Sequence, residues 1–291
     1  MNSLSFAYLL VLLASCLIGS IPWGLIISRV VYKTDIREHG SGNIGTTNAL
    51  RILGKKGGAA VFVLDFCKGL AAGLISLSAC SFFWPGQPLV PLLGPVSTGA
   101  PAFIDANALR IVACVGAVLG HIFSPWLGFR GGKGIAVGVG CMFFAIGPVG
   151  TLVELAVFVL FVALTRYVSV GSLASAVACP LLALWLLGGS WLAIVLCVLV
   201  AAVVFWAHRA NIRRLLTHSE NRLGSKAVEE DGASQAEAAS ALTSDAPVAD
   251  VGAATPADGA GAAAPAAAAT GAGAPTPAPA AAKTPEDGAQ K

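Results

Sequence analysis

The chain is short of charge. Its 291 residues include 18 Lys and Arg and 15 Asp and Glu against 56% hydrophobic residues, and the mean hydropathy is +0.79. That balance excludes an ordinary soluble domain and the dense basic surface needed to bind nucleic acid. Paired cysteines are missing too. Cys16, Cys67, Cys80, Cys114, Cys141, Cys179 and Cys197 fall singly in apolar runs, with no C-x-x-C or Cys/His pair at ligand spacing, so they read as small core residues, and no metal site or cofactor is expected. No G-x-x-x-x-G-K-[ST] occurs, which excludes a Walker P-loop. No basic segment precedes the first apolar run, which is also too long for a signal-peptide core.

What is abundant is apolar sequence of membrane-spanning length, about 20 residues. Candidate spans are Leu4–Ile27, Gly58–Phe83, Ala108–Leu127, Val168–Leu187 and Trp191–Ala207. Gly134–Leu164 is too long for one span: as a single helix it would measure about 46 Å against a hydrocarbon core of about 30 Å. The "GPVG" at 147–150 is a natural break, giving two short spans.

The cations are segregated along the chain. Arg29 to Lys56, Arg130 with Lys133, and Arg209 to Lys226 hold most of them, while 81–107, rich in Pro and Gly, has no Lys or Arg. The excess of positive charge in cytoplasmic loops puts the three basic segments on one side. Lys133 and Arg209 then need an even number of spans between them, which the split of 134–164 supplies. The expected fold is all-α and polytopic, with about seven transmembrane helices, some short or broken, and the N-terminus outside; five spans is the competitor. The membrane-embedded domain is expected over 1–226. From 227 to 291 the chain turns to Ala, Pro, Gly and Thr, a composition expected to form a disordered cytoplasmic tail.

Three polar segments interrupt the apolar runs. The first, "GSGNIGTTNALR", offers Ser41, Gly42, Asn43, Gly45, Thr47, Asn48 and Arg51. Glycines let backbone amides converge on an anion, and hydroxyls, amides and a guanidinium add donors; the plain alternative is a turn between spans. The second, "GHIFSPWLGFRGGKG", carries His121 and the cluster Gly131, Gly132, Lys133 and Gly134 ahead of the next helix. It is a second anion cradle or a snorkelling anchor. In the third, "HRANIRRLLTHSEN", His208, Asn211 and Arg214 share a helix face and Glu220 follows. An electrostatic lipid anchor would need the arginines but not the histidine, asparagine or glutamate. Asp65 and Lys68, three residues apart in a span, are expected to form a structural brace. Glu154 is a lone intramembrane acid, either neutral or paired with an unidentified partner.

Together these segments, with "GSIPWGLIISR" before them and "DFCKG" at 65–69, resemble the signature regions of the bacterial acyl-phosphate-dependent glycerol-3-phosphate acyltransferases, from about Gly19 to Glu220. The resemblance implies an integral inner-membrane enzyme that moves an acyl chain from acyl phosphate to the sn-1 hydroxyl of glycerol 3-phosphate, giving lysophosphatidate and phosphate. It also implies a cytoplasmic-facing site and, as neighbours, the enzymes that make acyl phosphate and use lysophosphatidate. Carried onto this chain, Ser41, Thr47, Asn48 and Arg51 match the first motif, His121, Gly131, Gly132, Lys133 and Gly134 the second, and His208, Asn211 and Glu220 the third. Thr46 stands where alanine is usual, Arg130 where lysine is common and His218 where glycine is usual.

On this reading Arg51 and Lys133, with the glycine-rich backbones, hold phosphates, Ser41, Asn48 and Asn211 orient oxygens, and His208 or a donor phosphate oxygen takes the proton. No Ser-His-Asp triad or nucleophilic Cys presents itself. The rival from another class is a transporter or flippase for a phosphorylated metabolite or lipid.

Overall fold

Inside hydrocarbon a chain must pair its backbone groups within its own segment, so the apolar runs are helical. The computed structural model describes residues 3–86 and 105–224, and among them there are helices and turns but no strand. The helices are α1 (Ser3–Gly19), α2 (Trp23–Val30), α3 (Thr46–Ile52), α4 (Gly54–Phe83), α5 (Ala106–Ile122), α6 (Ile135–Ala145), α7 (Gly147–Thr165), α8 (Val168–Leu186), α9 (Trp191–Ala207) and α10 (Arg209–Leu216). The expected disordered tail and most of the 81–107 connection lie outside the described residues.

Five stretches are long and apolar enough to cross a membrane: Ser3–Val30, α4, Ala106–Leu127, α7 and α8. The α9–α10 pair, bent by 58°, makes a sixth if counted as one span. The expected break in 134–164 is present, at the first glycine of "GPVG": α6 ends at Ala145, Gly147 has φ +80°, and Pro148 occupies the first turn of α7, where its missing N–H costs nothing. At 11 residues, α6 is about 16 Å long, half a hydrocarbon core, and is not among the stretches long enough to cross one. The expected single span Leu4–Ile27 is divided at Ser20–Pro22 into α1 and α2.

Central to the bundle is α5, buried along almost its whole length, packed by α1, α4, α6 and α9. Close packing rests on small residues, as it must where apolar burial gives helices no advantage over lipid. A side chain at Gly116 or Gly120 of α5 would strike the backbone of α1, and one at Gly69 of α4 or Gly140 of α6 the facing helix. Leucines such as Leu13, Leu17, Leu160 and Leu181 are instead exposed, as lipid-facing positions are. All seven cysteines are free thiols; Cys80, Cys114, Cys141, Cys179 and Cys197 are buried, and Cys67 is exposed.

Two breaks create the functional end. At Ser20–Pro22 the helix opens, and the Lys68 ammonium of α4 donates to the exposed Ile21 carbonyl at 2.8 Å. At Ala207 the α9 helix turns into α10. The His208 Nδ1–H donates to the Val204 carbonyl at 2.8 Å, the same carbonyl that accepts the His208 backbone N–H at 3.0 Å. A side chain entering the ladder in this way bends a helix without proline.

Candidate active site

The first polar segment is shaped by its glycines and locked by Asn48. Gly40 and Gly42 take φ of +60° and +67°, a region L-residues rarely enter. The Asn48 Nδ2 group donates to the carbonyls of Asn43 (2.9 Å), His39 (3.1 Å) and Ile36 (3.2 Å), and its Oδ1 accepts the Ser41 N–H at 3.0 Å. Asn48 is 2% exposed, and its amide is taken up by the loop. The Gly42 and Gly45 amides are also engaged, with His39 O and Asn43 Oδ1. This corrects the expectation that the amides of this loop converge on an anion: three of them, those of Ser41, Gly42 and Gly45, serve the loop itself. Asn48 likewise holds the loop together, which leaves its Nδ2 no hydrogen for a substrate oxygen.

The second segment folds back on the end of α5. Gly131 N–H donates to Ile122 O at 2.9 Å and Gly132 N–H to His121 O at 3.1 Å. A Cβ on Gly131 would collide with His121 O, and one on Gly132 with His121 Nε2, so only glycine permits this return. These two amides are also spent on the protein. What the fold-back achieves is the placement of Lys133.

Behind that loop, His121 Nδ1 lies 2.8 Å from Lys68 Nζ. Ammonium can only donate, so Nδ1 accepts and the neutral ring carries its proton on Nε2. Lys68 also pairs with Asp65 at 2.9 Å. Both are buried, so the expected brace joins α4 to α5 and to the Ile21 break.

In the third segment Glu220 accepts from Asn211 Nδ2 at 2.6 Å and from Arg214 Nε at 2.7 Å. Burial opposes its ionisation, but the hydrogen bonds from Asn211 and Arg214 prevail and hold its pKa below the ordinary value. Glu220 therefore aims the other two. Since a carbonyl only accepts, His208 Nδ1 is protonated, and the neutral ring offers Nε2 as its acceptor. The segment after α10 returns across the α7–α8 turn: Leu223 N–H donates to Arg166 O at 2.6 Å and Arg166 donates back to Leu223 O at 3.2 Å.

These segments meet around a cavity of about 350 Å³. Ser41, Asn43, Gly45, Thr47, Asn48 and Arg51 line it from the first segment, His121, Lys133 and Gly134 from the second, and His208, Asn211, Arg214 and Glu220 from the third. Asp65 reaches the same space, while Lys68 lies behind it. Gly42, Gly131 and Gly132 line an adjoining cavity of about 340 Å³ with Arg130 and Arg209; Ser41, Asn43, Lys133, Asn211 and Arg214 border both. Burial brings the Lys133 pKa down to about 8; Glu220 pulls it up, and Arg214 and Arg51 push it further down.

Sequence reasoning missed part of this wall. Arg214 was legible through its spacing from Asn211, but Ser169 and Ser172 of α8 look like ordinary small residues of a span. The apolar side, Phe62, Ile135, Phe158 and Val162, has no signal that sets it apart from lipid-facing sequence. Chemically the first cavity is of mixed character, lined by the cations Arg51, Lys133 and Arg214 as well as by these apolar side chains.

Comparison with known proteins agrees with that chemistry. The family model described as Glycerol-3-phosphate acyltransferase matches residues 9–218. A glycerol-3-phosphate acyltransferase of Chlorobaculum parvum is 39% identical over 239 residues, covering 74% of this chain and 96% of the relative. The crystal structure of an integral membrane glycerol 3-phosphate acyltransferase in its glycerol 3-phosphate form superimposes with a TM-score of 0.61 at 32% identity, covering 75% of this chain and 96% of that one. The lysophosphatidic acid form gives a TM-score of 0.58 at 31% identity, with 75% and 95% covered. The polar side chains gather where the loops meet, at one end of the bundle, and the family model spans their three segments as far as residue 218. This multi-pass membrane protein is an acyltransferase, and the chain belongs to the glycerol-3-phosphate acyltransferase family.

Proposed function

We propose that the protein transfers a fatty acyl chain from acyl phosphate to the sn-1 hydroxyl of glycerol 3-phosphate, releasing lysophosphatidate and inorganic phosphate. The observation that supports this is the mixed lining of one cavity, with the cations Arg51, Lys133 and Arg214 together with the apolar Phe62, Ile135, Phe158 and Val162, beside a second cationic cavity. A substrate with a phosphate head and a hydrocarbon tail fits the first, and a small phosphorylated alcohol fits the space shared with the second.

The hydroxyl oxygen attacks the acyl carbon, the carbon–oxygen bond to phosphate breaks, and phosphate leaves with the electron pair. Arg51 and Lys133 balance the charge of the phosphates, and Ser41 and Asn211 orient oxygens. Asn48 and Glu220 act one step back, by holding the Ser41 loop and the Asn211–Arg214 pair. The hydroxyl proton passes to His208 Nε2 or to an oxygen of the departing phosphate. No protein group is acylated, since phosphate is already a good leaving group and positioning two bound substrates supplies much of the rate. The loops face the cytoplasm from a bacterial inner membrane, with the N-terminus outside; the support is the clustering of Lys and Arg in the three site segments. The enzymes that make acyl phosphate and consume lysophosphatidate are its metabolic neighbours.

The test is phosphate release from palmitoyl phosphate by the purified protein, with and without glycerol 3-phosphate, alongside detection of lysophosphatidate. Release that requires the acceptor and equals lysophosphatidate formed is expected. Absence of product, or release indifferent to the acceptor, overturns the reading, and an acyl-enzyme trapped without acceptor overturns direct transfer.

A further inference from the structure

Val162 and Phe158 are apolar side chains that line the first cavity. They lie four residues apart on α7, and Glu154 is next on the same face, about 6 Å deeper per step. The face changes character there: Phe158 and Val162 are half-buried, whereas Glu154 and Thr151 are buried. Across from it, Ser172 of α8 lines the cavity, and Ser175, one turn deeper, donates to the Glu154 backbone carbonyl at 3.1 Å. That bond closes α7 onto α8 at the Glu154 level. Glu154 itself is 8% exposed, and its Oε2 has no hydrogen-bond partner.

We infer that Glu154 is the floor of the acyl channel and sets the longest chain the site accepts; this rests on the acyl-phosphate reading above. A carboxyl with an unsatisfied oxygen is a poor surface for hydrocarbon. A methyl end pressed against it offers that oxygen no hydrogen bond and keeps any polar partner away from it. A chain running down α7 past Val162 and Phe158 therefore stops at residue 154, and longer chains have to buckle in the cavity.

The experiment is competition among acyl phosphates of 14, 16, 18 and 20 carbons, scored as kcat/KM ratios, for the unchanged protein and three variants. Glu154→Ala removes both the polarity and the volume of the floor. It raises the ratio for a chain two methylenes beyond the normal limit by about fifteenfold, at about fourfold per methylene buried. Glu154→Gln keeps both and leaves the ratios unchanged. Glu154→Leu keeps the volume without the charge-bearing group, leaves no hole to destabilise the fold, and shifts the ratios the same way by less. A merely structural role for Glu154 would alter total activity without altering the ratios. Unchanged ratios in folded Glu154→Ala and Glu154→Leu overturn the inference and mean that the tail leaves the cavity sideways. No turnover of any acyl phosphate by the unchanged protein overturns the donor reading, and this inference with it.

Discussion

Lys133 carries its charge near the edge of the physiological range. With a pKa brought down to about 8 by burial, it is protonated below that pH and loses its charge above it, so phosphate binding by the free enzyme weakens as pH rises through 8. The expected profile of kcat/KM has a basic limb near pH 8, and that of kcat has the limb at higher pH, because a bound phosphate favours the charged amine. Lys133→Arg should remove the limb, since a guanidinium stays charged. Asn48 fails in another way. Asn48→Ala leaves the Ser41 N–H and the three carbonyls it serves without their partner, at a cost of about 1–3 kcal/mol for a buried group left unsatisfied. A lowered thermal midpoint together with lowered turnover checks this; Ser41→Ala should lower turnover with little change in the midpoint.

Between elements, the second loop depends on contact so close that it has no room for one carbon. Gly132→Ala places a methyl on the His121 ring, and Gly131→Ala places one on the His121 carbonyl. Either moves Lys133 away from the cavity, so activity should fall by tenfold or more while helix content measured by circular dichroism stays unchanged. The glycines, His121 and Lys133 were legible as a group in the sequence, and so was the break of 134–164 at "GPVG", because glycine and proline punctuate an apolar run. How the glycines act was not legible. Sequence shows that an amide could reach an anion but not that Ile122 and His121 carbonyls have already taken it. The bend at His208 was equally hidden, since no proline marks it, and the apolar wall around Phe158 has the composition of any span. Asp65 and Lys68 announced their pairing by spacing; that Lys68 would also hold the Ile21 carbonyl, 47 residues away, depends on tertiary contact.

At the scale of the whole molecule, the family match ends at residue 218, and about three quarters of this chain covers 96% of the Chlorobaculum parvum relative. The acyltransferase unit is therefore expected to end by 226. A chain stopped after Lys226 should keep the turnover of the full protein in detergent or vesicles, while one stopped before Glu220 should lose it, because Asn211 and Arg214 lose their anchor. The seam between Arg166 and Leu223 has a consequence for how the enzyme comes into being. Polypeptides are made from the N-terminus, and the cavity draws its walls from near residue 41, near 133 and beyond 208. A half-made chain leaving the ribosome already has the brace and the first two loops, yet it has no closed site until the last helices are inserted and Leu223 reaches the turn at Arg166. Acyl transfer thus begins only when synthesis of the fold is finished.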